Sequence, residues 1–180
     1  TMPQAQKEVC PQCRQKFPRS NEGNVKQVRV WVDKGKAWAQ TFLASQYQNG
    51  RGVPQSYEEA IEYYNMAIKQ GDPNAMCGLA AMYENGRGVA KSFETTAELY
   101  TLAANQGHAT AQYNLGVSYR DGEGVEQSYE KSIELFTLAA EQGHVGAQFN
   151  LGAAYYNGDE GVAKSDAMAR KWWLKAALQE

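Results

Sequence analysis

The chain has 180 residues, 43% of them hydrophobic and 21% charged, and its 18 Lys and Arg against 20 Asp and Glu give a net charge of −2. This apolar content is enough for a folded core, and the net charge is too low for an intrinsically disordered chain. A near-neutral chain also lacks the basic surface of a nucleic-acid-binding protein. Its apolar runs are far shorter than the roughly 18 residues that cross a bilayer, so we expect neither nucleic-acid binding nor direct membrane insertion.

Residues 1–19 are predicted to form a flexible tail that contains Cys10 and Cys13 in a C-x-x-C spacing. Two thiolates at this spacing are an incomplete tetrahedral zinc site, so zinc is expected only if further ligands are supplied from elsewhere. Without them we expect no cofactor. An incidental pair in the tail and a redox dithiol are the alternatives, and the lack of a βαβ pattern around the pair disfavours the dithiol.

Residues 20–36 are predicted to be a capping helix equivalent to half a repeat. Val25, Val28 and Val32 recur at helical spacing and place three branched apolar side chains on one face. Ser20 precedes this run at the position of a helix N-cap.

A repeat of 36 residues then occurs four times, at 37–72, 73–108, 109–144 and 145–180. The third residue of each copy is an Ala, which is followed four residues later by a Leu, then by a small residue and a Tyr, and this spacing marks one face of a helix. A glycine turn follows, and then a serine suited to cap a second helix: Ser56, Ser92, Ser128 and Ser165. With Glu59, Ser56 is also predicted to complete a capping box. Each copy is therefore predicted to be a helix–turn–helix pair.

The fourth copy differs from the others at its turn and at its end. Its turn has one extra residue, Asp159-Glu160, and no polar capping helix follows the second helix. Because terminal repeats need a solvent-tolerant outer face, Trp172, Trp173 and Leu174 predict that more chain or a partner covers this end.

The combined signature of Ala, Leu-Gly, Tyr, Gly-x-Gly-Val and Ala-Ala-x-x-Gly resembles the Sel-1-like repeat, a relative of the tetratricopeptide repeat. This resemblance implies an all-α fold, a right-handed α/α superhelix or solenoid whose first helices line a concave face. It also implies a non-catalytic scaffold or adaptor that binds a protein segment in that groove and supports assembly of a multiprotein complex.

The Cys-Pro-x-Cys-Arg run at Cys10 to Arg14 resembles the last ligand pair of a RING finger. This second resemblance implies an alternative function, the substrate-recruiting part of a RING-type ubiquitin ligase. The remaining zinc ligands of such a finger are expected upstream of this chain.

Groove-facing positions of the third and fourth copies are predicted to bind the partner. They are Tyr113, Asn114, Arg120, Phe149, Asn150 and Tyr156. Rigid aromatic area beside hydrogen-bonding groups is typical of binding hot spots, and in tetratricopeptide relatives an Asn matching Asn114 and Asn150 pairs with the backbone of a bound peptide. The alternative is that Asn is simply a common repeat residue and that the aromatic rings pack between adjacent copies.

Catalysis is not expected from this chain. Its two histidines, His108 and His144, occupy equivalent loops where we expect them to start helices, and no nucleophile and base converge in the pattern. The three cysteines form no periodic pairs, so we expect a reducing compartment, the cytoplasm or an organelle interior.

Overall fold

The computed structural model describes residues 21–179, and this part of the chain contains nine α-helices and no strand. They are α1 (Asn21–Asp33), α2 (Ala37–Asn49), α3 (Tyr57–Ile68), α4 (Pro73–Asn85), α5 (Phe93–Ala104), α6 (Ala109–Asp121), α7 (Tyr129–Glu141), α8 (Val145–Asn157) and α9 (Asp166–Ala177). Two compact units divide within α4, the first ending at Leu79 and the second beginning at Ala80. The predicted tail with Cys10 and Cys13, and the predicted cap Ser20, lie outside the described residues.

The first unit has its core between α1 and α2. The three valines of α1 are buried, with exposures of 0 to 9%, and they pack with Ala39 and Leu43 of α2. Tyr47 and Tyr63 stack beside this core with ring centroids 5.8 Å apart, and Arg29 donates a hydrogen bond of 2.8 Å to the Tyr47 hydroxyl. The valine spacing therefore places α1 on the first repeat as one apolar stripe.

One core cluster of the second unit lies among α7, α8 and α9. Its buried residues are Phe136, Ala139, Ala140, Ala147, Leu151 and Trp172. Glycines let aromatic rings lie directly on the first helices of the repeats. A Cβ added to Gly116 would come within 2.8 Å of the Phe136 ring, and one added to Gly152 within 2.5 Å of the Trp173 ring. The small residue beside the repeated Leu is thus the place where the second helix rests on the first.

The N-cap prediction is confirmed for all four serines. Each hydroxyl accepts a hydrogen bond from the backbone N–H three residues later, at 3.1 to 3.3 Å. The predicted capping box is wrong, because the Ser56 N–H donates to the carbonyl of Tyr47 and not to the Glu59 carboxylate. The other three serines bond the equivalent tyrosine carbonyls in the same way. Each serine therefore caps the second helix and also ties it to the end of the first.

The glycine turns also follow the prediction. Gly50, Gly122 and Gly158 end their helices in the left-handed conformation. The second glycine of the turn is needed for space as well. Gly124 has φ +73°, and a Cβ there would collide with the backbone of Phe93.

The predicted open end is partly corrected by the structure. Trp172 is only 5% exposed because it packs into the core with Leu151, whereas Leu174 is 63% exposed. Trp173 is half-buried. Of the three residues expected at the surface, Trp172 is therefore a core residue.

Gly124→Ala and Gly107→Ala are expected to separate backbone strain from steric collision. Both glycines have positive φ, but nothing lies within 4 Å of a Cβ at Gly107. We expect Gly107→Ala to destabilise the fold by about 1 kcal/mol and Gly124→Ala by about twice that or more. Urea denaturation followed by circular dichroism measures both, and equal losses would contradict the collision at Phe93.

Candidate binding site

A groove of about 430 Å³ opens between α6, α8 and α9. Tyr113, Phe149, Asn150 and Trp173 are among its lining residues. The ring centroids of Phe149 and Trp173 are 6.4 Å apart, and the Trp173 Nε1–H donates a 3.1 Å hydrogen bond to the Phe149 carbonyl. Tyr156 lies against the same indole at 5.7 Å. The indole of Trp173 is therefore fixed in place by α8.

A smaller cavity of about 110 Å³ lies between α6, α7, α8 and the turn that follows α8. Its polar lining includes Arg120, Ser132, Asn150 and Asp159, and Phe136 contributes to its apolar wall. Asn150 lines both the groove and this cavity. One half-buried amide thus stands between the two openings.

The six predicted site residues do not form a single surface. Tyr113, Phe149 and Asn150 line the groove, and Tyr156 reaches it through Trp173. Arg120 lines the smaller cavity, whereas Asn114 lines neither opening.

Arg120 is not a free cation in this site. Its Nε–H and one Nη2–H donate to the two carboxylate oxygens of Asp121, each at 2.8 Å. These hydrogen bonds raise the pKa of Arg120 and lower the pKa of Asp121. The two charges therefore largely cancel at the edge of the cavity.

Tyr113 packs against residues of neighbouring helices, whereas the amides of the two asparagines lack hydrogen bonds within the described residues. Tyr113 stacks on His144 with centroids 4.4 Å apart and also contacts Phe136, so packing between repeats accounts for this ring. Asn114 and Asn150 are half-buried, and neither amide makes a hydrogen bond to any residue from 21 to 179. Packing alone does not account for these two amides.

The groove is built from positions that are covered in the preceding repeat. Phe136 and Ala140 are 3% and 1% exposed beneath their neighbours. Their equivalents, when the extra turn residue is counted, are Trp173, which is half-buried, and Ala177, which is exposed. Within the described residues no further helix covers them, so the groove has the character of a repeat-packing surface.

Trp173 lines the groove but was not among the predicted site residues. It was predicted, with Trp172 and Leu174, to lie at an end that more chain or a partner covers, because no capping helix follows the fourth repeat. Ser128 and Ser165 are 37 residues apart, and the same offset pairs Trp173 with Phe136. The spacing of the N-cap serines is therefore the signal that locates this ring.

The histidines of the described part of the chain cap helices, and its cysteine thiol is partly buried. The Nδ1 atoms of His108 and His144 each accept a backbone N–H at 3.2 Å as helix caps, as predicted. Burial raises the pKa of the Cys77 thiol to about 11, which keeps it protonated near neutral pH. Between residues 21 and 179 there is no cluster of three or more His, Cys, Asp or Glu side chains that suits a metal ion. No helix of this region has the length and apolar character to cross a membrane.

Four consecutive segments of the sequence, 39–72, 73–108, 109–144 and 145–180, match the Sel1 repeat. The chain belongs to the Sel1 repeat family. The predicted all-α repeat fold class is thereby confirmed. None of the comparisons supports the RING interpretation of Cys10 and Cys13, which are not among the described residues.

Solved structures with the same fold include a Sel1 repeat protein from Oxalobacter formigenes, at 36% identity and a TM-score of 0.82, with 90% of this chain and 46% of that one covered. The protective antigen c5321 of uropathogenic Escherichia coli has 34% identity and a TM-score of 0.77, with 89% and 34% covered. Helicobacter pylori cysteine rich protein B, at 20% identity and a TM-score of 0.58, is similar in fold alone, with 72% and 96% covered. This Sel1 repeat chain thus spans less than half the length of the first two.

No curated protein sequence matches the chain. Sel1 repeat proteins are in general protein-interaction scaffolds, and the family is typically non-catalytic.

His144 is expected to make the stability of this Sel1 repeat chain depend on pH. Burial, and then the nearby His108, lower the pKa of His144 from its ordinary value of 6.5. The contribution of the neutral cap is complete above 6.5 and is lost as the pH falls, because the unfolded chain takes up the proton more readily. We expect His144→Asn, which keeps a capping side chain, to reduce the loss of stability between about pH 7.5 and pH 5.

His144→Ala is the matched variant for this test. It removes the cap at every pH and is expected to cost about 1 kcal/mol at neutral pH. Thermal denaturation at both pH values measures the effect, and the same acid-induced loss in His144→Asn and the unmodified chain would refute it.

Proposed function

We propose that this chain is a non-catalytic adaptor that binds a segment of a partner protein across α6, α8 and α9 and supports assembly of a multiprotein complex. The observation that carries the proposal is the amide of Asn150. It is half-buried, it has no hydrogen bond to the described residues, and it lines both openings of the site. An amide in this state offers both a donor and an acceptor to the backbone of a bound segment.

The groove supplies apolar area next to that amide. Phe149 is 60% exposed and Tyr156 is 53% exposed, and both rings rest on Trp173. Aromatic side chains that are already held in position lose little conformational entropy when a partner covers them. The partner is expected to place an apolar face over these rings.

The double variant Asn114→Arg with Asn150→Arg tests this assignment. At position 150 a long cationic side chain obstructs the groove, and at position 114 it replaces the second unpaired amide, so we expect partner retention to fall by about tenfold or more. Affinity capture from the source lysate with quantitative mass spectrometry compares this variant with the unmodified chain.

Asn65→Arg is the control for the same chemical change. Asn65 is exposed on α3 of the first unit and lines neither opening. We expect it to retain the partners, and we expect all variants to keep their helicity and melting temperature. Partners that bind the double variant as well as the unmodified chain would rule out the groove as the binding surface.

A further inference from the structure

The smaller cavity exists because two of its residues are shorter than their equivalents one repeat earlier. Ser132 stands where the preceding repeat has Thr96, and Ala153 stands where it has Val117. These two differences remove three methyl groups from the contact of α7 with α8. The equivalent contact one repeat earlier therefore has larger side chains at both positions.

The Ser132 hydroxyl is left without a partner in this cavity. The Thr96 hydroxyl donates 2.8 Å to the Ser92 carbonyl and lies 3.3 Å from the Ala80 carbonyl. Ser132 is 2% exposed, yet its Oγ makes no hydrogen bond to the described residues. Buried polar groups are normally paired, so an unpaired hydroxyl that lines a cavity indicates an absent partner.

Of the two charged residues that line the cavity, only Arg120 has an ion-pair partner in the described part of the chain. Arg120 is neutralised by Asp121, while Asp159 forms neither an ion pair nor a side-chain hydrogen bond with residues 21–179. Asp159 belongs to the turn with the extra residue, where the other repeats have one residue fewer. The mouth of the cavity thus carries one uncompensated carboxylate.

We infer that this cavity binds the side chain of a lysine from the partner segment. Three oxygen atoms or groups are unused in the lining: the Ser132 hydroxyl, the Asn150 amide oxygen and the Asp159 carboxylate. An ammonium group has three N–H donors and a four-carbon stem, and that stem matches the apolar wall of Ile133 and Phe136. This inference rests on the proposed function, because the lysine belongs to the segment bound beside Asn150.

An arginine side chain fits the same lining less well. A guanidinium is a rigid plane with five donors, and it is larger than the compact ammonium group of lysine. The free volume of about 110 Å³ also favours the more compact head group. The cavity is therefore specific for lysine over arginine.

The test uses a phage-displayed library of random dodecapeptides selected on the full chain. We expect the enriched peptides to share one lysine at a constant distance from an apolar residue. Replacing that lysine by methionine in the synthetic peptide is expected to weaken Kd about tenfold or more, which isothermal titration calorimetry measures.

Ser132→Thr with Ala153→Val fills the cavity with the residues of the preceding repeat. This variant is expected to keep or raise the melting temperature. It is expected to weaken the binding of lysine-containing peptides as much as the methionine replacement does, and to abolish the preference for lysine. Asp159→Asn is expected to reduce the same preference. Ala81→Val, the same change at the equivalent position of the second repeat, is the control and is expected to leave Kd unchanged.

Two outcomes overturn the inference and separate it from the proposed function. Peptides that bind without a lysine, or lysine peptides that bind the filled variant equally well, refute the lysine site and leave the groove adaptor in place. A selection that enriches no peptide refutes the groove adaptor and, with it, the lysine site.

Discussion

The contact between an aromatic ring of the second helix and a glycine of the first sets the geometry of the second unit. Phe136 lies on Gly116 and Trp173 lies on Gly152, each so closely that a single added carbon would collide with the ring. This contact brings the two helix backbones together and buries the ring at the same time. The serine caps add a second tie, because each serine N–H bonds a tyrosine carbonyl at the end of the first helix. The groove and the smaller cavity both lie beside helices held in this way.

Within the described residues, the buried glutamines of the repeat form hydrogen bonds with other glutamines, unlike several polar side chains that line the site. Gln142 donates to Gln112 at 2.7 Å and Gln179 donates to Gln148 at 2.9 Å, so the buried glutamines of successive repeats are paired. Between residues 21 and 179, Ser132 and Asp159 are unpaired where the fourth repeat and its junction depart from the pattern, whereas the unpaired amide of Asn150 stands at a position that is also Asn in the third repeat. A repeat protein builds its architecture from the shared residues, which leaves binding specificity to the positions that differ.

The candidate site could be predicted only in part from the sequence. Tyr113, Phe149 and Asn150 were predicted from their register on the first helices, and they do line one groove. Arg120 was predicted to face the partner as a hydrogen-bonding group, but two donors of its guanidinium are bonded to Asp121. Ser132 and Ala153 carry no motif, and their importance lies in the volume that they fail to fill. Such a volume depends on how three helices meet and is invisible in any one of them.

Local chemistry explains why the fold itself could be derived from the sequence. Helix period, serine caps and left-handed glycines act within a few residues, and four copies of one pattern require neighbouring pairs to bury a shared face. The extra residue in the last turn shows the limit of this reasoning. It lies before Ser165, so Trp172 corresponds to the half-buried Leu135 and Trp173 to the buried Phe136 of the preceding repeat, yet Trp172 enters the core and Trp173 lines the groove. The sequence therefore determined the helices, their caps and their order. Tertiary packing decided which ring, amide and carboxylate face open space, because exposure depends on contacts between distant residues.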